Sequence, residues 1–168
     1  MALESSKYLQ MNHQVKDTKY LTFFLNGTGF GVHILKVREI IGMMPITQLP
    51  QTPEYVRGVV NLRGRVIPVI DLRLRFGIED AETGDRTCII VMEIEAPDTR
   101  LQIGGIVDAV SDVISLKDED IEKKASMGVE LKSDVIQGIA KLKDGIKILL
   151  NVDRILTTEE SCLLNQAA

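Results

Sequence analysis

The sequence predicts an all-β protein built from two related small barrels, and three observations predict it. About ten apolar runs of four to eight residues are cut by turn residues, leaving little room for helix. Aromatic residues make up 4% of the chain and Trp is absent, so the core is drawn from Val, Ile and Leu, which favour sheet. The third observation is that the two halves of the chain resemble each other.

In order along the chain, residues 1–16 are polar and patternless apart from Tyr8, Leu9 and Met11, and read as a flexible arm. Tyr20–Leu25 reads as a strand, Asn26-Gly27-Thr28-Gly29 as its hairpin turn and Phe30–Ile34 as the return strand. Ile40–Met44 follows, then a loop punctuated by Pro45, Pro50 and Pro53. Val56–Leu62 and Val66–Ile70 make a tight hairpin around Arg63-Gly64, and Leu72–Phe76 one helical turn closed by Gly77. Pro68 cannot donate to a strand ladder, so it marks an edge or a bulge. The second half repeats this texture in Thr87–Ile94, Leu101–Val107, Val113–Leu116, Val135–Leu142 and Ile146–Val152, with a terminal helix from about Val152 to Leu164.

The repeat is detailed. When 56–72 is laid over 136–152, Gly58 meets Gly138, Leu62 meets Leu142, Arg63 meets Lys143 and Asp71 meets Asn151. Val59/Ile139, Val66/Ile146, Val69/Leu149 and Ile70/Leu150 coincide as well. Upstream, Gly31 and Val37-Arg-Glu-Ile-Ile41 align with Gly104 and Val110-Ser-Asp-Val-Ile114. The offset is 80 residues in the first stretch and 73 in the second, which assigns the extra residues to the charged loop Lys117–Lys132. Units of about 60–70 residues are near the limit of independent folding, so the two should pack on each other. An SH3-like or OB-like barrel is the economical unit, because closing the sheet removes its edges.

Charge and composition narrow the chemistry. Twenty Lys+Arg against 24 Asp+Glu give −4 and a pI near 5.3, unfavourable for binding a polyanion. Cys88 and Cys162 lie far apart and form no C-x-x-C, so neither a zinc site nor a disulfide scaffold is expected. The start lacks a basic-then-apolar signal sequence, and Tyr20–Leu35, the longest uncharged run, is too short to span a bilayer. A reduced, cytoplasmic protein with no metal or cofactor is expected. No nucleophile elbow, zinc-protease or phosphate-loop motif occurs. His13 lies in the arm and His33 in a strand; Cys88 opens an apolar strand, where a thiol is inert; Glu93 and Glu95 read as a solvated face. No catalytic residue is assigned.

Five arginines (57, 63, 65, 73, 75) and one acid, Asp71, crowd the stretch from Arg57 to Arg75, and Asp118, Glu119, Asp120 and Glu122 form an acidic one. Arginine suits planar pairing at interfaces, whereas the scarcity of aromatics beside these arginines argues against base stacking. Met43, Met44, Ile46 and Leu49 among the prolines, and Met127 and Val129 in the charged loop, are core filling or adaptable contact surface. The residues alone describe a double barrel that works by contact. A small-ligand-binding or nucleic-acid-binding double barrel is the alternative.

The stretch Tyr55-Val-Arg-Gly-Val-Val-Asn-Leu-Arg-Gly-Arg-Val-Ile-Pro-Val-Ile-Asp-Leu-Arg73 resembles the signature of the CheW family, the coupling proteins of bacterial chemotaxis. The resemblance extends through Phe30–Ile40, Gly105–Ile114 and Ile148–Leu156. It implies two intertwined five-stranded SH3-like barrels, with short helices and a C-terminal helix at about 152–164. The single domain would span 17–168, with subdomains of about 17–85 plus part of the C-terminal region and about 86–156. It also implies a cytoplasmic adaptor between the C-terminal regulatory domain of the histidine kinase CheA and the cytoplasmic tips of chemoreceptors. Such an adaptor is recruited to the inner face of the membrane through receptors, without inserting into it. A stand-alone adaptor is expected, because 168 residues leave no room for the kinase's phosphotransfer and ATP-binding domains and the sequence lacks the clustered aspartates of a CheV-type receiver domain.

Carried over residue by residue, the family motif places Arg63 on a receptor-facing surface, paired with Glu39. Val37 and Gly58 match positions near the same groove between the barrels, with a backbone requirement the other reading of Gly58 since Gly138 repeats it. Val107 and Val110 match the second-half strand and its corner, as groove or core, and are assigned to the same receptor side. Met127 and Val129 lie where the family carries apolar residues facing the kinase.

Overall fold

The computed structural model describes residues 17–78, 83–96, 99–123 and 134–167. Two hairpins are set by their turns. Asn26-Gly27 (φ 49° and 80°) and Arg63-Gly64 (φ 52° and 85°) supply the consecutive left-handed residues that two-residue primed turns demand. They close β1 (Thr18–Leu25) on β2 (Thr28–His33) and β4 (Val56–Leu62) on β5 (Arg65–Asp71). The first turn is therefore two residues long and not four. Between the hairpins lie a 3-10 turn, Ile34–Lys36, and β3 (Val37–Gly42). After β5 comes one turn of helix, α1 (Leu72–Arg75), whose cap Asp71 accepts the Arg73 amide N–H. The second half contributes β6 (Cys88–Ala96), β7 (Thr99–Val107), β8 (Ala109–Leu116), β9 (Ile121–Lys123), β10 (Ile136–Leu142) and β11 (Gly145–Leu150). The terminal helix α2 runs Thr158–Ala167. It starts later than expected because Asn151 caps a separate 3-10 turn, Val152–Arg154, and Thr157 and Glu160 then cap the helix reciprocally.

The strands form a six-stranded sheet, β8-β1-β2-β11-β10-β9, and a five-stranded sheet, β3-β6-β7-β5-β4. Under the sequence repeat, β1 to β5 map onto β6, β7, β8, β10 and β11, and the two strand orders become the same apart from the additional edge strand β9. The parallel pairs agree too: Gly31 lies opposite Leu149 and Gly104 opposite Val69. Each repeat thus lends its leading hairpin to the other repeat's sheet. The expected division near residue 85 separates units of sequence, not of sheet: β1–β2 joins β8–β11, and β6–β7 joins β3–β5. The physical cause is the short turn Ile34–Lys36, which carries the chain from one sheet into the other before the repeat is complete.

Bulges bend the strands at repeat-related places, between Val56 and Gly58 and between Ile136 and Gly138. At Gly58 (φ 140°) a Cβ would stand 2.0 Å from the Thr47 carbonyl oxygen, and at Gly138 it would stand 2.9 Å from that of Glu122. These glycines let a passing segment approach. In one barrel that segment is a single bridge, Thr47 to Val59, kept short by the flanking prolines; in the other it is β9, within the stretch read from sequence as a charged loop. Pro68 faces Val59, whose own N–H and C=O both bond Thr47 and so turn away from β5. Pro68 therefore sits where β4 asks for no donor.

Three apolar clusters result. One fills the first barrel (Val60, Leu62, Ile67, Val69, Ile89, Val91, Ile106) and a smaller one the second (Tyr20, Leu116, Ala140, Leu149). The largest lies at the seam and draws on both sheets, including Phe23, Phe30, Ile70, Met92, Leu150 and Leu164. Met44 and Ile46 pack against the first barrel's cluster and Leu49 against the seam, so most of the proline loop's apolar residues are core filling.

Candidate docking surface

β3 and the β4–β5 hairpin tip converge on one side of the five-stranded barrel. Arg63, at the tip, donates from its Nη2 to the Glu39 carboxylate. The Arg63 side chain is 67% exposed and that of Glu39 29% exposed, so the pair is presented outward and not sealed. The left-handed backbone at Arg63 (φ 52°) aims this side chain, and the amide of Gly64 is held by the Asn61 side chain at 2.9 Å. Arg38, the residue added by the bulge between Val37 and Glu39, pairs instead with Glu93 on β6. Half-buried Val37 packs on the seam cluster, and so does Val110, its partner in the repeat.

The other two positions are not surface. Val107 has no exposed area and belongs to the seam core, so it offers a partner no side chain. Gly58 is buried beneath Thr47 and is required by the backbone. Met127 and Val129 lie outside the described residues.

The repeat does not duplicate the Arg63–Glu39 pair. Asp112, the counterpart of Glu39, is taken by the Thr22 hydroxyl at 2.7 Å. Four of the seven large exposed apolar residues among the described residues, by contrast, do come in repeat-related pairs: Ile40 with Val113 (46% and 50% exposed) and Val66 with Ile146 (45% and 58%). Their signal was present in the alignment, where apolar residues coincide, but the bulges shift strand parity and concealed which face they take.

Beneath the hairpin lies a buried charge network. Arg73, 2% exposed, grips Asp71 with Nε and Nη2 at 2.9 and 3.0 Å and reaches Asp108 with Nη1 at 3.0 Å. Arg57 adds a longer contact to Asp71 at 3.2 Å. Burial alone would push the Asp71 carboxyl up, but the hydrogen bonds and charges of Arg73 and then Arg57 outweigh it and hold it below the ordinary value of 3.8. The sequence marked this network only as one acid among five arginines.

The candidates for chemistry take structural places. His33 Nδ1 accepts the Leu35 N–H at 3.1 Å, and burial pushes the Cys88 thiol up, away from reactivity, against a backbone hydrogen bond with Val110. Among the described residues no three His, Cys, Asp or Glu side chains stand close enough to hold a metal ion. A cleft of about 810 Å³ between β6 and α2 is lined by Arg75, Glu95, Asp134, Asp153 and Arg154 among others, with neither histidine nor cysteine among its described lining residues. No helix among the described residues is long and apolar enough to cross a membrane.

Comparison with known proteins agrees with this architecture. The family model for the CheW-like domain matches residues 19–160. Chemotaxis protein CheW of Klebsiella aerogenes is 34% identical over 150 residues, covering 89% of this chain and 88% of that protein. Chemotaxis protein CheW of Bacillus subtilis is 33% identical over 144 residues, covering 85% and 89%. The crystal structure of scaffolding protein TtCheW from Thermoanaerobacter tengcongensis superposes with a TM-score of 0.75 at 34% identity, covering 86% of this chain and 97% of that one. Family model, sequence relatives and solved scaffold span nearly all of the two exchanged sheets, and the chain belongs to the CheW-like family.

Proposed function

We propose that the protein is a non-enzymatic chemotaxis adaptor that couples the histidine kinase CheA, through its C-terminal regulatory domain, to the cytoplasmic tips of chemoreceptors. It works in the cytoplasm, recruited to the inner face of the membrane through receptors. The observation that carries this reading is the outward-facing Arg63–Glu39 pair at the hairpin tip, with Arg63 inside the signature stretch Tyr55–Arg73. Val37, Glu39, Arg63 and Val110 form the receptor side, shaped from below by Gly58 and Val107. The repeat-related pairs Ile40/Val113 and Val66/Ile146 offer apolar contact on both barrels, which suits an adaptor that must hold two partners at once. Met127 and Val129 are assigned to the kinase side.

Such a protein needs no chemistry. By binding one kinase–receptor arrangement better than another, it shifts their equilibrium by its own differential affinity. A bridging assay tests this. Immobilised kinase regulatory domain is expected to retain a chemoreceptor tip fragment only when this protein is added. Equal retention without it, or binding of neither partner, would end the reading. Salt-dependent binding of single-stranded nucleic acid, or a thermal shift with a metabolite, would favour the alternatives instead.

A further inference from the structure

The exchange of hairpins creates two polar junctions that the repeat relates. In the first, Arg73 follows β5, Asp108 lies on the crossing from β7 to β8, and Asn26 is at the end of hairpin β1–β2. Arg73 Nη1 donates to Asp108 Oδ1 at 3.0 Å, and Asp108 Oδ2 accepts the Asn26 N–H at 2.6 Å. In the second, Asp153 follows β11, Lys36 lies on the crossing from β2 to β3, and Glu95 is near the end of hairpin β6–β7. Lys36 Nζ meets both Asp153 oxygens at 3.0 Å, and Asp153 Oδ1 accepts the Glu95 N–H at 2.9 Å. Even the caps correspond: Asp71 accepts the Arg73 N–H and Asn151 accepts the Asp153 N–H. Each junction ties a lent hairpin to the sheet of its donor, with the charges in opposite order.

The junctions differ in burial. Arg73 is 2% exposed and doubly bound to Asp71, which has no exposure, although Asp108 is 32% exposed. Lys36 and Asp153 are 28% and 27% exposed, and among the described residues Asp153 makes no second ion pair. An ion pair whose groups both retain solvent exposure weakens as salt screens it, whereas one anchored on a fully buried cation is screened far less. We propose that the Lys36–Asp153 junction is a salt-sensitive latch: it opens locally, parting the end of hairpin β6–β7 from the turn Val152–Arg154, while the Arg73 junction stays closed. Asp153 and Glu95 both border the 810 Å³ cleft beside α2, so the latch lies at the edge of that cleft.

Residue-resolved amide hydrogen exchange on the intact protein tests the latch. Between about 0.02 and 0.5 M NaCl, corrected for intrinsic exchange, the Glu95 amide should exchange about two- to fivefold faster. The Asn26 amide should not change. Lys36→Met should exchange at Glu95 in low salt as the unaltered protein does in high salt, and should lose the salt response. Asp153→Asn, which keeps an acceptor for the Glu95 N–H, should also lose it. A salt-independent Glu95 amide in the unaltered protein, or equal responses at Glu95 and Asn26, would overturn the proposal. So would a Lys36→Met protein that keeps the salt response.

Discussion

Asp71 is the residue on which the first barrel's polar interior turns. It has no exposed area, and it neutralises Arg73, which is itself 2% exposed. Removing its charge leaves a buried guanidinium short of a partner, so Asp71→Asn should cost about 3 kcal/mol in urea unfolding. Because the folded carboxyl is held below 3.8, its contribution is complete above the unfolded value and is lost as pH falls through the folded one. The urea midpoint of the unaltered protein should therefore hold from pH 7 to about 5 and fall below about pH 4, more steeply than that of Asp71→Asn. A variant with the same acid slope would remove Asp71 from this role. At this scale the sequence was legible at Arg63-Gly64, and at Asn26-Gly27 in the place of the turn though not in its length. It was less legible at Val107, where a family position and a core position look alike in a string of Val and Ile.

Elements were read well where turns punctuate them and poorly where a tertiary neighbour decides. β9 spans three residues of charged sequence and exists because Gly138 lets it lie against β10. α2 has a weak amphipathic pattern, and its anchorage comes from Leu164, 2% exposed in the seam core, while Leu163 beside it is 49% exposed. Leu164→Ala should destabilise by about 2–4 kcal/mol, and Leu163→Ala by less than about 0.5 kcal/mol. Equal losses, measured by thermal or urea unfolding, would mean that the helix is not docked through this face. Pro68 shows both outcomes at once. Its presence did mark a special strand position, yet that position is internal to the sheet, where its nitrogen turns away from Val59 and the pairing with β7 begins only at Val69.

The whole molecule is one unit because its largest core belongs to neither barrel. The seam cluster takes residues from both sheets, and each sheet is completed by a hairpin from the other repeat. Separate fragments 17–85 and 86–168 should each remain unfolded by circular dichroism and amide dispersion, and should gain structure when mixed. A fragment that folds alone would contradict the exchange. The internal repeat made two barrels legible from sequence, but strand exchange is a matter of which sheet a hairpin joins, and no local pattern encodes that choice. The docking account rests on a surface pair whose loss should spare this fold. Arg63→Glu, opposite Glu39, should change Tm by no more than about 2 °C, since exposed pairs contribute little. Titration calorimetry of the same sample with a chemoreceptor tip fragment measures the claim directly. An affinity lowered on the order of thirtyfold is predicted, as for an interface hot spot, whereas unchanged affinity, or affinity and Tm collapsing together, would contradict it.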